Sequence, residues 1–120
     1  VFANPASIHT LTISANVEDP VRMGYPAALQ HRQGIQNVEL ILAIELMAAA
    51  QGIDFRKGEL GQQSKLGRGT QPAYELIRKH VPFLENDAIM YPYIEKIRNL
   101  IANRDLVKAV NQQVEDVWDV

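Results

Sequence analysis

One stretch restricts this chain more than any other: LILAIELMAAA, residues 40–50. Ten of its eleven side chains are apolar, and Glu45 is the exception. No proline interrupts residues 35–51, and Ala, Leu, Met and Glu are strong helix formers, so the segment reads as a helix. A helix that is apolar nearly all round has no face for water. It is buried on every side or shared with another chain. A domain of 120 residues has a modest core and can hardly surround such a helix alone. The pattern therefore points to a partner chain or to further polypeptide. Eleven residues with a carboxylate are too short and too charged to span a bilayer. Glu45 must be paired, protonated or placed at an interface. A salt bridge to an arginine of another helix is the favoured reading, and a catalytic role is its rival.

The rest of the chain supports an all-α class: a helical bundle fragment with one long buried helix, shorter helices and an extended N-terminal segment. Residues 1–19 show no helical period and read as an extended or looped entry. Residues 20–53 read as core helices, started by Asp19-Pro20, because Asp accepts from first-turn N–H groups and Pro suits the first helical position. Gly24 and Pro26 are expected to disturb that helix and Gly34 to bend it. Residues 54–70 read as a glycine-bearing basic connector, and 71–120 as C-terminal helices. Thr70 caps the first of these, which stops before Pro82. The next starts near Pro92 and places Tyr93, Ile94, Ile97, Leu100 and Ile101 on one face. Asp105 caps the last, with apolar positions at 106, 107, 110, 114 and 117. No segment alternates as a strand.

Composition closes off several functions. The net charge of −2 gives no electrostatic footprint for nucleic acid or an anionic membrane, so neither is expected as partner. The absence of cysteine removes disulfide and thiolate chemistry and makes a reducing cytoplasm the default compartment. The opening VFANPASIHT has neither the basic start nor the apolar run of a signal peptide. Val1 in place of Met suggests a processed product or part of something longer.

Few motifs carry chemistry. His9, His31 and His80 are too far apart for a helical metal pair, so no metal site is expected. LGRGT at 66–70 lacks the spacing of a phosphate loop and reads as a linker. Ser7, Ser14 and Ser64 have no base nearby in sequence. The segment SANVEDPVRMG, residues 14–24, sets two carboxylates before a proline. Asp19 is explained as a helix cap. Glu18 then sits beside the positive end of the helix dipole, which favours its ionised form. Local physics leaves two readings open for it: a receptor for an amine or imidazole, or a surface residue beside a cap.

Several stretches together resemble the C-terminal part of the aromatic amino acid ammonia-lyases, especially the histidine enzymes. These are NPAS (4–7), SANVEDPVRMG (14–24), YPYIEKI (91–97) and, most specifically, AIELMAAAQGIDFRKG (43–58). The resemblance implies a helical homotetramer with active sites built from several chains. It also implies a cofactor, 4-methylidene-imidazol-5-one, made from an internal Ala-Ser-Gly, and a tyrosine base from the N-terminal region. This chain contains no Ala-Ser-Gly, and the stretches that carry the tyrosine are absent. On this reading it is a C-terminal portion whose partners are the remainder of the polypeptide, the other subunits and an amino acid substrate. Glu18 matches the family's active-site glutamate, which contacts substrate, and Val17 stands where the family carries Gln or Asn. Pro20 and Arg22 depart from the histidine and serine common in the histidine enzymes. Histidine is the expected substrate. The rivals are an aminomutase on the same scaffold and a non-catalytic helical assembly module.

Overall fold

The computed structural model describes residues 3–15, 17, 22–61 and 65–114. A 3₁₀ turn at Ala6–His9 is followed by α1 (Gly24–Leu60), α2 (Thr70–His80), α3 (Tyr91–Ala102) and α4 (Asp105–Asn111). No strand occurs among the described residues, and the chain is all-α. It divides into two compact units, Val1–Val38 and Glu39–Val120, with α1 continuous across the division.

α1 is the main departure from the sequence reading. It is one helix of 37 residues, with no break at Gly24, Pro26 or Gly34, and it takes in residues 54–60 of the expected connector. Pro26 is the third helical residue, where its missing N–H has no intrahelical acceptor to lose. Gly34, Gly52 and Gly58 stay in negative φ, each at about 1 kcal/mol relative to Ala, which strong neighbouring formers offset. The helix ends at Gly61, whose φ of 87° only glycine adopts without strain. Nor does α1 start at Asp19-Pro20. Arg22 and Met23 are outside the helix, and Met23 O accepts from Ala27 N–H at 3.1 Å.

In the first unit the 3₁₀ turn is closed by Ile8 N–H to Pro5 O and Thr10 N–H to Ser7 O, both 3.2 Å, and Ala6 is buried. In the second unit the core joins Ala43, Met47 and Ala50 of α1 to Ile77, Val81 and Ile97. Leu46, Tyr74, Tyr93, Ile94, Ile101 and Leu106 pack around it. The expected face of α3 is the observed one, with Ile97 and Leu100 buried. Ile97→Ala is expected to cost about 2–5 kcal/mol, because a fully buried branched side chain leaves a cavity. Urea unfolding measures it, and a loss under about 1 kcal/mol would contradict this packing.

The caps shift by one position. Gly69 precedes α2, so Thr70 is its first residue. Arg104, at φ 60°, precedes α4, and Asp105 sits in the first turn, 3.2 Å from Lys108 Nζ. The helix expected to be buried is mostly uncovered within this chain. Ala43, Met47 and Ala50 form one buried stripe, while Ile35, Val38, Ile41, Leu42 and Ile44 are exposed, Ile41 by 62%. Glu45 is exposed as well.

Candidate functional site

Of the residues assigned to the site from sequence, Val17 is described, and Glu18 lies outside the described residues together with Asp19 and Pro20. Val17 is 81% exposed, and its N–H donates to Ser14 O at 3.1 Å. Ser14 and Ala15, which lead into this segment, both have φ of 54°. That is the left-handed region, where an L side chain crowds the following carbonyl. α1 begins at Gly24, six residues after Glu18 in sequence.

The specific stretch AIELMAAAQGIDFRKG carries a polar cluster that the sequence reading missed. Gln51 and Asp54 are one turn apart on α1, and Tyr74 and Arg78 one turn apart on α2. Asp54 Oδ2 lies 2.7 Å from Arg78 Nη2, with both side chains largely buried. Tyr74 donates its hydroxyl proton to Asp54 Oδ1. Arg78 also donates to Gln51 Oε1 at 3.2 Å and to the carbonyls of Val81 at 3.2 Å and Pro82 at 2.9 Å. Gln51 in turn grips the backbone of Leu84, donating to its carbonyl at 2.8 Å and accepting from its N–H at 3.3 Å. Lys57 Nζ lies 4.1 Å from the centre of the Tyr74 ring, and Phe55 meets Phe83 edge to face.

These contacts make the cluster a clamp. It ties the end of α1 to α2 and to the extended segment after α2, and it supplies donors to the carbonyls of Val81 and Pro82 in that segment. The signal available in the sequence was the pair of one-turn spacings, 51/54 and 74/78. The arginine sought for Glu45 belongs to Asp54 instead.

Burial, and then the hydrogen bond and charge of Asp54, push the Tyr74 phenol above its usual value of 10.0, against the lowering effect of Arg78. The fold therefore favours the protonated phenol. Its contribution to stability is complete below about pH 10 and is lost as pH rises through the higher folded value. Lysines also titrate in that range, so the informative quantity is the difference between the wild type and Tyr74→Phe. That difference is expected to shrink from pH 9 to pH 11.5 in urea unfolding. A constant difference would show that Tyr74 does not keep its proton for Asp54.

The other sequence candidates have structural surroundings. His80 Nδ1 lies 3.0 Å from Leu76 O. Among the described residues no group of three His, Asp or Glu is placed to hold a metal ion. Arg68 of LGRGT donates to Gln113 O at 3.2 Å, and Gly69 lies beside Val110 and Val114 with room for a side chain at ordinary contact distance. No described helix is long and apolar enough to cross a membrane.

Comparison with known proteins places this scaffold. The chain is 55% identical over 109 residues to a histidine ammonia-lyase of Chloroflexus aurantiacus, covering 91% of this chain and 21% of that protein. It is 47% identical over 115 residues to a histidine ammonia-lyase of Alkaliphilus oremlandii, covering 96% and 22%. The chain thus spans about one fifth of the length of these relatives. A crystal structure of tyrosine aminomutase from Streptomyces globisporus superposes with a TM-score of 0.83 at 28% identity, over 93% of this chain and 20% of that one. The family profile for aromatic amino acid lyases matches residues 1–79, and the chain belongs to that family.

Proposed function

We propose that this chain is the C-terminal region of an ammonia-lyase that eliminates ammonia from an L-amino acid, with histidine, giving urocanate, as the substrate. The observation that carries the reading is its identity to histidine ammonia-lyases over nearly its whole length. These residues do not fit the family's electrophile, because no Ala-Ser-Gly occurs among them. The 4-methylidene-imidazol-5-one of the intact enzyme would come from polypeptide outside them.

What this chain supplies is Glu18. Its carboxylate would receive the amine or imidazole N–H of the substrate, a charged acceptor that is worth most in a site closed to water. Val17, where the family carries a polar residue, leaves one fewer hydrogen bond for the substrate. The uncovered apolar side chains of α1 support assembly with the rest of the polypeptide and with other subunits as a homotetramer. A chain without cysteine suits a reducing cytoplasm.

The test is to assay the intact protein and the isolated chain with histidine, phenylalanine and tyrosine. The intact protein is expected to release ammonia and urocanate from histidine, and the 120-residue chain to release nothing. The likeness to a tyrosine aminomutase favours one second reading, migration of the amine. A β-amino acid product without ammonia would establish it. No turnover of any of the three would leave a helical assembly module.

A further inference from the structure

We propose that the cleft between the last turns of α1 and residues 65–66 binds a small organic anion with an apolar body, a role separate from the function proposed above. The cleft has a volume of about 360 Å³, within the range of small-molecule sites. α1 gives it Gly52, Ile53 and Arg56, and Leu66 of the following segment lines it too. Arg56, Lys57 and Lys65 bring three cations to it, and no carboxylate is among its lining residues. The ion pairs among the described residues are Asp54–Arg78, Glu95–Arg98 and Asp105–Lys108, so none of these three cations is neutralised by a described carboxylate. Lys57 Nζ lies 4.1 Å from the centre of the Tyr74 ring, which holds it in place without removing its charge. Three like charges around one small cleft repel each other, and a bound anion relieves that repulsion. Arg56 offers the planar fork that suits an oxyanion, and the lysines add point charges. The floor decides the rest of the ligand. Gly52 has open space where a Cβ would stand, with no atom within 4 Å. A glycine inside a helix is less stable than alanine, and no close contact requires one here. Its bare backbone leaves room beside Ile53 and Leu66. A bare inorganic ion would leave that apolar floor uncovered, and a neutral apolar molecule would leave the cations unpaired.

The experiment is calorimetric titration of the intact protein with naphthalene-1-sulfonate, with the neutral 1-naphthylmethanol and with inorganic phosphate. The sulfonate is expected to bind at least about tenfold more tightly than either of the others, since it alone meets both the cations and the floor. Arg56→Gln and Lys65→Gln should each weaken it about tenfold, the usual worth of a hydrogen bond to a charged group. Gly52→Leu should abolish binding by filling the floor, while the melting temperature holds or rises with the better helix former. The two glutamine variants alter exposed side chains and carry the test by themselves if Gly52→Leu does not fold. Sulfonate binding that is the same in wild type and in both glutamine variants would place the probe elsewhere on the protein and overturn the proposal. Absence of binding to the intact protein would overturn it as well, because the cleft would then be filled by other polypeptide. Phosphate binding as tightly as the sulfonate would overturn the apolar half of the site.

Discussion

Arg78→Ala is expected to destabilise the chain by about 3–5 kcal/mol, the largest effect of any single polar substitution among the described residues. Arg78 is 14% exposed and Asp54 20%, so the pair is largely withdrawn from water. Removing the guanidinium leaves the Asp54 carboxylate with the Tyr74 hydroxyl and no cation. It also strips the carbonyls of Val81 and Pro82 and the Gln51 side chain of a donor. A buried acceptor without a partner costs more than the bond contributed. Asp54→Ala should fall in the same range, and the double variant should lose less than the sum, since the two side chains share one interaction. Urea unfolding at pH 7 reads all three. A loss below about 1 kcal/mol for Arg78→Ala would mean the clamp is ornamental and that burial of Ile77, Val81 and Ile97 alone holds α2 to α1.

The second large effect is kinetic. Glu18→Ala in the intact enzyme is expected to lower kcat/KM by about 10²–10³ while moving the melting temperature little. Val17, its neighbour, is exposed within this chain. Glu18→Gln separates charge from shape. If the carboxylate receives a cationic or N–H group of the substrate, the amide should lose nearly as much rate as alanine. Unchanged turnover in both variants would return Glu18 to a surface carboxylate and move the search for a substrate contact to other parts of the polypeptide.

Much of the fold was legible from the chain alone, for identifiable reasons. α3 could be read to its face because its apolar spacing and Pro92 agree, and Ile97 and Leu100 are buried as that spacing requires. The apolar run at 40–50 was legible as a helix because strong formers fill it. Its length was not, since the glycines and Pro26 that suggested interruptions all sit at tolerated positions. Local propensity names a breaker without knowing whether the helix can absorb it.

The candidate site divides in the same way. Glu18 was proposed through the family resemblance, since its local surroundings in sequence left two readings open, and it lies outside the described residues. The clamp was not legible as a unit, because the one-turn spacings 51/54 and 74/78 do not say which pairs meet. Asp54 and Tyr74 are 20 residues apart, and Gln51 and Leu84 are 33 apart. No local rule selects Asp54 rather than Glu45 as the partner of Arg78.

The sequence by itself determined the all-α class, the apolar face of α3 and the helical state of residues 40–50, because helix period and propensity act over a few residues. Tertiary structure alone decided which carboxylate meets the arginine, that Ala43, Met47 and Ala50 form the one buried stripe of a helix apolar nearly all round, and that Ser14 and Ala15 turn left-handed. Pairing across an interface and the sign of φ depend on where distant segments are brought together, which no short window of residues encodes.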